Sequence, residues 1–140
     1  MKKTKKTAII AISIAAIIAI GVTIIYINFY INTRNATSIS ITYVHNESKI
    51  KDELIETNDT IELKNFLKGF CFYDIPSCGF SEDIYLKINI GNNELLLYPA
   101  CDGCNKFKVG DTNKYLFVNE SDYSKIRAIL EKYQMKFPCI

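Results

Sequence analysis

Five cysteines, Cys71, Cys78, Cys101, Cys104 and Cys139, are the residues of this 140-residue chain whose types and spacing suit chemistry. Their neighbours divide them. Cys71 lies in Phe70-Cys71-Phe72, directly after an apolar run, which predicts a buried free thiol, because unpaired cysteine is among the most buried residue types. Cys78, Cys101, Cys104 and Cys139 sit beside proline, glycine or aspartate, in Pro76-Ser77-Cys78-Gly79, Pro99-Ala100-Cys101-Asp102-Gly103-Cys104 and Pro138-Cys139. Thiols in such loops are free to meet one another.

Three chemistries can use that set of four. Structural disulfides suit a small domain in an oxidising compartment, which gains most from being tied down. Two bridges among four cysteines allow three pairings, which sequence leaves open, and a bridge to Cys139 would tether the chain after its last helix. A zinc site of Cys78, Cys101, Cys104 and Cys139 would use one short Cys-x-x-Cys knuckle and two distant thiolates, although a zinc ribbon normally has two knuckles. A redox dithiol at Cys101 and Cys104 would need a helix N-terminus to acidify its thiolate. Here Asn105-Lys106-Phe107-Lys108-Val109 continues instead in strand-like alternation.

Other candidates have structural readings. His45 is the only histidine, so a Ser-His or Cys-His catalytic system must use it; beside Asn46-Glu47 it reads as a solvated turn residue. Glu82-Asp83 and Glu120 with Asp122 offer paired carboxylates for acid/base work or calcium, but at a strand start and a helix start they read as solubilising and capping residues. The chain carries no phosphate-cradling glycine loop, no His-Glu-x-x-His and no Gly-x-Ser-x-Gly. Nine Tyr and eight Phe offer a sugar or peptide platform, yet most occupy expected core positions. Asn-x-Ser/Thr sequons begin at Asn35, Asn46, Asn58 and Asn119, a number expected by chance in so Asn-rich a chain.

The elements that would position these residues begin with a membrane segment. Residues 8–31 contain no charge and are mostly Ile, Ala and Val. About 20 such residues at 1.5 Å rise cover a ~30 Å hydrocarbon core. Lys2, Lys3, Lys5 and Lys6 precede the run and Arg34 follows it, which orients residues 1–7 as a cytoplasmic tail and sends the rest outward. A cleaved signal ending near Ala19-Ile20-Gly21 is the rival reading, but apolar sequence continues for about ten residues past that point. The remaining chain carries 13 basic against 15 acidic residues, so it offers no basic footprint for nucleic acid. No Gly-x-x-x-Gly face argues for pairing of the apolar helix.

Residues 32–38 read as a polar linker and 39–140 as one extracytoplasmic domain. Alternation in Ser38 to Val44 predicts a strand, and Lys49 to Thr57 a weaker second one. Asp59 and Glu62 suggest a capping box ahead of a helical face of Ile61, Leu63, Phe66, Leu67 and Phe70, with Gly69 able to end the helix. Residues 84–90 and 95–98 predict a hairpin across Gly91-Asn92-Asn93, followed by a second pair, Phe107 to Val109 and Lys114 to Val118. A last helix runs from Ser121 or Asp122 to Tyr133. This order implies an α+β two-layer sandwich with a mainly antiparallel sheet and two helices, behind the transmembrane helix.

The stretches Ser77-Cys78-Gly79-Phe80, Cys101-Asp102-Gly103-Cys104 and Lys136-Phe137-Pro138-Cys139-Ile140 resemble small cysteine-containing extracytoplasmic domains of low-GC Gram-positive bacteria, anchored or lipoprotein-like. The resemblance covers about residues 77–140. It implies an envelope location and a shared cysteine set and brings no activity with it. The expectation is therefore a membrane-tethered, disulfide-stabilised binding module without a cofactor, with an envelope protein as partner. The competing expectation is an envelope thiol or zinc protein using Cys78, Cys101, Cys104 and Cys139.

Overall fold

The computed structural model describes residues 2–45, 48–75, 77–80 and 82–135. They form two compact units, residues 1–30 and residues 31–140.

The first unit is dominated by one helix, α1 (Lys2–Phe29). Its Ile10–Phe29 segment is long and apolar enough to cross a membrane and buries nothing against protein. Ile12, Ile17 and Ile27, spread around its circumference, are all more than half exposed, and a helix apolar on every side suits lipid. Two of its polar side chains bond within the helix. Thr23 Oγ1 donates to the Ala19 carbonyl at 2.8 Å, and Asn28 Nδ2 to the Ile24 carbonyl at 2.8 Å. Both bonds remove a donor that hydrocarbon cannot solvate.

The second unit is α+β. From Ile31 on it contains the end of β1 (Tyr30–Ile31), then β2 (Ala36–His45), β3 (Ser48–Leu54), β4 (Gly69–Tyr73), β5 (Ile84–Ile90), β6 (Asn93–Pro99), β7 (Lys106–Val109) and β8 (Lys114–Phe117). They form one eight-stranded sheet in the order β1-β4-β8-β7-β6-β5-β2-β3. Two helices, α2 (Thr57–Phe66) and α3 (Glu120–Lys132), complete the unit. The period-2 alternation of the strands divides their side chains between two faces. Ile39, Ile41, Leu86, Ile88, Leu97, Phe107 and Leu116 form one face and join Leu63, Leu67, Ile126 and Leu130 of the helices in a single core, all fully buried. Full burial of a Leu or Ile side chain contributes about 1.5–3 kcal/mol, so this face holds the unit together.

The expected hairpin forms, pairing Leu86 with Leu97 and Ile88 with Leu95, and Gly91 turns it at φ 59°. Left-handed backbone of that kind favours glycine. The α3 helix also forms, one residue earlier than expected, because the Asn119 side chain accepts the Asp122 N–H at 2.9 Å as its N-cap.

Three expectations are corrected. The helical face of Ile61 to Phe70 stops at Phe66, and Gly69 to Tyr73 forms β4, paired antiparallel with β8 through Cys71 and Leu116. The anticipated Asp59/Glu62 box does not cap α2: Glu56 occupies the N-cap without a side-chain bond, and Asp59 is drawn instead to Lys132 and Tyr133. Residues 32–38 are folded rather than a linker. The Thr33 side chain is fully buried and its hydroxyl lies 3.1 Å from the Lys64 carbonyl and 2.8 Å from that of Leu67, satisfying groups left open at the C-terminus of α2.

The connection from β4 to β5 sets up the rest of the molecule. These strands are separated by β8, β7 and β6, so the ten residues 74–83 must travel four strand spacings, about 19 Å, across the sheet. The helices occupy one face. The connection crosses the other, where Phe80 packs on Tyr115 with ring centroids 5.3 Å apart and Glu82 pairs with Lys108 at 3.4 Å. Tyr98 and Tyr115 of that face are thereby almost fully buried, which places them in a small second layer of packing and not in the main core.

Candidate functional site

The strap of residues 74–83 and the turn between β6 and β7 meet. Phe80 bridges to Ala100, and the Cys101 N–H donates to the Gly79 carbonyl at 2.8 Å. This closure brings Cys78 to Cys104, and the two form a disulfide with Cα atoms 6.5 Å apart. In the turn itself, Gly103 adopts φ 84°, and the Cys104 N–H donates to Asp102 Oδ1 at 3.2 Å. That local bond shapes the Cys-x-x-Cys stretch as a tight turn.

The pairing bears on the individual cysteines as follows. Cys104 bonds to Cys78 rather than to its near neighbour Cys101, so the Cys101/Cys104 redox dithiol is not formed. No helix N-terminus follows the motif either, because the chain enters β7. Cys101 is free and half-buried. Cys71 is free and buried in β4, and burial pushes its thiol up to about 11. Cys139 lies outside the described residues. Of the four candidate zinc ligands, Cys78 and Cys104 come together, and the side chain that joins them is Asp102, their donor atoms all lying within 4.8 Å of one another. A zinc ion there would require the disulfide to be reduced, since thiolates are the ligands.

A cavity of about 360 Å³ lies between this turn and α3, lined by Cys104, Asn105, Glu120, Tyr123 and Arg127 among others. It carries both charge signs. Glu120 and Asp122 sit in the first turn of α3, where the helix dipole favours negative charge, and Asp122 pairs with Lys125 at 3.7 Å. Glu82 pairs with Lys108 at 3.4 Å, and the Asp83 backbone carbonyl accepts the Val44 N–H at 2.7 Å. His45 closes β2, and its side chain lies outside the described residues.

A second surface was not anticipated. On β4 and β8, Phe70, Phe72, Tyr73 and Phe117 are exposed, and Ile75, just beyond β4, is 97% exposed. Phe72 and Phe117 meet edge to face at 5.9 Å. Lys106 Nζ lies 4.7 Å from the centre of the Phe117 ring and Lys114 Nζ 5.6 Å from that of Tyr73. Lys106 also pairs with Asp74 at 3.1 Å, which holds the Asp74 carboxyl below the usual carboxylate range. Phe70 was expected on a helical face and the aromatic residues generally in the core. Reading β4 as a strand would have put Phe70 and Phe72 together on one face, opposite Cys71.

Comparison with protein families, with curated proteins and with solved structures finds no match to this chain.

Proposed function

We propose that this chain is a membrane-tethered extracytoplasmic interaction module. In this reading α1 crosses the membrane once with its lysine-rich start inside, and residues 31–140 form a two-layer α+β domain outside. The observation that carries the interaction role is the exposure of Phe70, Phe72 and Phe117 on one face of the paired strands β4 and β8, where Phe72 meets Phe117 edge to face at 5.9 Å. Single exposed apolar residues are ordinary on any protein, whereas a contiguous group marks a contact surface. The Cys78–Cys104 disulfide supports the outer location, because thiols in a reducing cytosol seldom stay paired. The partners in this reading are the membrane itself and a further envelope component, not nucleic acid.

A thiol or zinc role is the second reading, and the grouping of Cys78, Asp102 and Cys104 favours it. One experiment separates the two. Thiols are alkylated in intact cells before lysis, and the chain is recovered from the membrane fraction and mapped by mass under non-reducing conditions. A Cys78–Cys104 cross-linked peptide supports the interaction module. Alkylated Cys78 and Cys104, with zinc bound stoichiometrically to the native chain, would replace it with the metal reading.

A further inference from the structure

We propose that reduction of the Cys78–Cys104 disulfide unmasks a divalent metal site of the zinc class, built from Cys78 Sγ, Cys104 Sγ and the Asp102 carboxylate, with one position left to water. This rests on the thiol and zinc reading above and names its donors and the chemical state in which they act.

The spacing of the donors fits an ion. All three lie within 4.8 Å of one another. A tetrahedral zinc with Zn–S of about 2.3 Å and Zn–O of about 2.0–2.2 Å holds its donors roughly 3.5–3.8 Å apart, a difference that side-chain torsions can close. The backbone frame does not depend on the disulfide alone. The Cys101 N–H donates to the Gly79 carbonyl at 2.8 Å, Phe80 bridges to Ala100 and packs on Tyr115, and Glu82 pairs with Lys108. These contacts keep Cys78 beside Cys104 once the covalent bond opens. Asp102 is aimed by its own turn, where Oδ1 accepts the Cys104 N–H at 3.2 Å, the kind of hydrogen bond that orients a ligating carboxylate.

The charge balance calls for a cation. A dithiol reductant gives two electrons and two protons to the S–S bond, which breaks into two thiols while the reductant closes its own disulfide. Deprotonating both thiols beside Asp102 gathers three negative charges that repel one another. A divalent ion replaces the two thiol protons, which leave to solvent, and cancels most of that repulsion. Thiolate donors select zinc over calcium or magnesium, which take oxygen ligands. Cys104 also lines the cavity of about 360 Å³ beside α3, which admits water to the fourth position.

The full chain in detergent would be reduced with a phosphine under argon, freed of reductant and titrated with Co²⁺ as a spectroscopic stand-in, then with Zn²⁺ to displace it. Circular dichroism reports the fold at each stage. The proposal expects one ion per folded, reduced chain with thiolate-to-cobalt absorption, and none on the oxidised chain. Cys78→Ser and Cys104→Ser should remove most of that absorption. Asp102→Asn, which leaves both cysteines in place, should weaken binding at least about tenfold, and Cys101→Ser should leave it unchanged. Absence of the thiolate-to-cobalt band, or a reduced chain that stays unfolded with the ion present, overturns the proposal. Undiminished binding by Asp102→Asn also overturns it, as does loss of binding in Cys101→Ser or Cys139→Ser, which would give the ion to another set of thiols. The intact-cell alkylation fails separately: a Cys78–Cys104 cross-link found there removes a resting zinc role, while the titration alone decides whether the reduced site exists.

Discussion

Tyr133, at the C-cap of α3, and Asp59, in the first turn of α2, are 74 residues apart in sequence, yet the Tyr133 hydroxyl donates to Asp59 Oδ2 at 2.8 Å. The same hydroxyl accepts the Glu56 N–H at 3.0 Å, and Lys132 Nζ donates to Asp59 Oδ1 at 2.8 Å. The Tyr43 hydroxyl in turn donates to the Tyr133 carbonyl at 2.6 Å. The Tyr133 phenol thus ties the start of α2 to the end of α3, while the Tyr43 phenol ties strand β2 to the Tyr133 backbone. Removing the Tyr133 hydroxyl strands both a nearly buried carboxylate oxygen and a helix-start N–H. Tyr133→Phe should therefore destabilise residues 31–140 by about 1–3 kcal/mol, the cost of an unsatisfied buried polar group. Urea unfolding of the two forms checks this; equal midpoints would show that the network is ornamental.

The same network sets an acid limit. The Lys132 and Tyr133 hydrogen bonds hold the Asp59 carboxyl below its ordinary value. A carboxyl with a depressed folded-state pKa contributes stability that is present above its unfolded value, about 4, and is lost as pH falls through the folded value. Wild type should lose an increment of stability below about pH 4 that Asp59→Asn, already lacking the carboxylate, does not show. Parallel stability–pH curves for the two proteins would contradict this.

The disulfide closes a loop across 26 residues of sequence separation. By the loop-entropy relation, its loss should cost about 3–4 kcal/mol. Because the bond pins the strap to the β6–β7 turn, Cys78→Ser with Cys104→Ser should also speed amide exchange at Cys101, whose N–H donates to Gly79, far more than at Ile88 in the core. Uniform acceleration at both sites would mean that the bond serves global stability alone.

The two free thiols among the described residues should differ in reactivity. Cys71 is buried and its thiol is pushed up to about 11, so at pH 8 it presents little thiolate and no access. Alkylation of the native, non-reduced protein should modify Cys101 quickly and Cys71 only on unfolding. Rapid labelling of Cys71 would show that β4 opens freely.

Much of the fold is legible in sequence because it is written in local periodicity. The apolar run of α1, the alternation of Ile84 to Ile90 and the helical stripe of Tyr123, Ile126, Ile129 and Leu130 each specify an element without reference to distant residues. What was missed depends on partners far along the chain. Phe66, Leu67 and Phe70 are spaced as on a helix, and only pairing with β8, more than 40 residues later, makes Phe70 part of a strand. Asp59 looks like a cap until Tyr133 arrives. The disulfide partner of Cys78 follows from the path of a strap over three strands, which no spacing of cysteines encodes. The exposed aromatic cluster was hidden by the same misreading of β4, since a helical Phe70 and a strand Phe70 face different surroundings.

The central claim, an uncleaved anchor with the folded domain outside, is tested most directly by adding protease to intact cells and weighing the surviving chain. The account predicts a carbonate-resistant membrane protein whose mass retains residues 8–31, and whose domain is digested from outside without permeabilisation. A domain protected until lysis, or a mature chain beginning near Ile20 or Gly21, would contradict it.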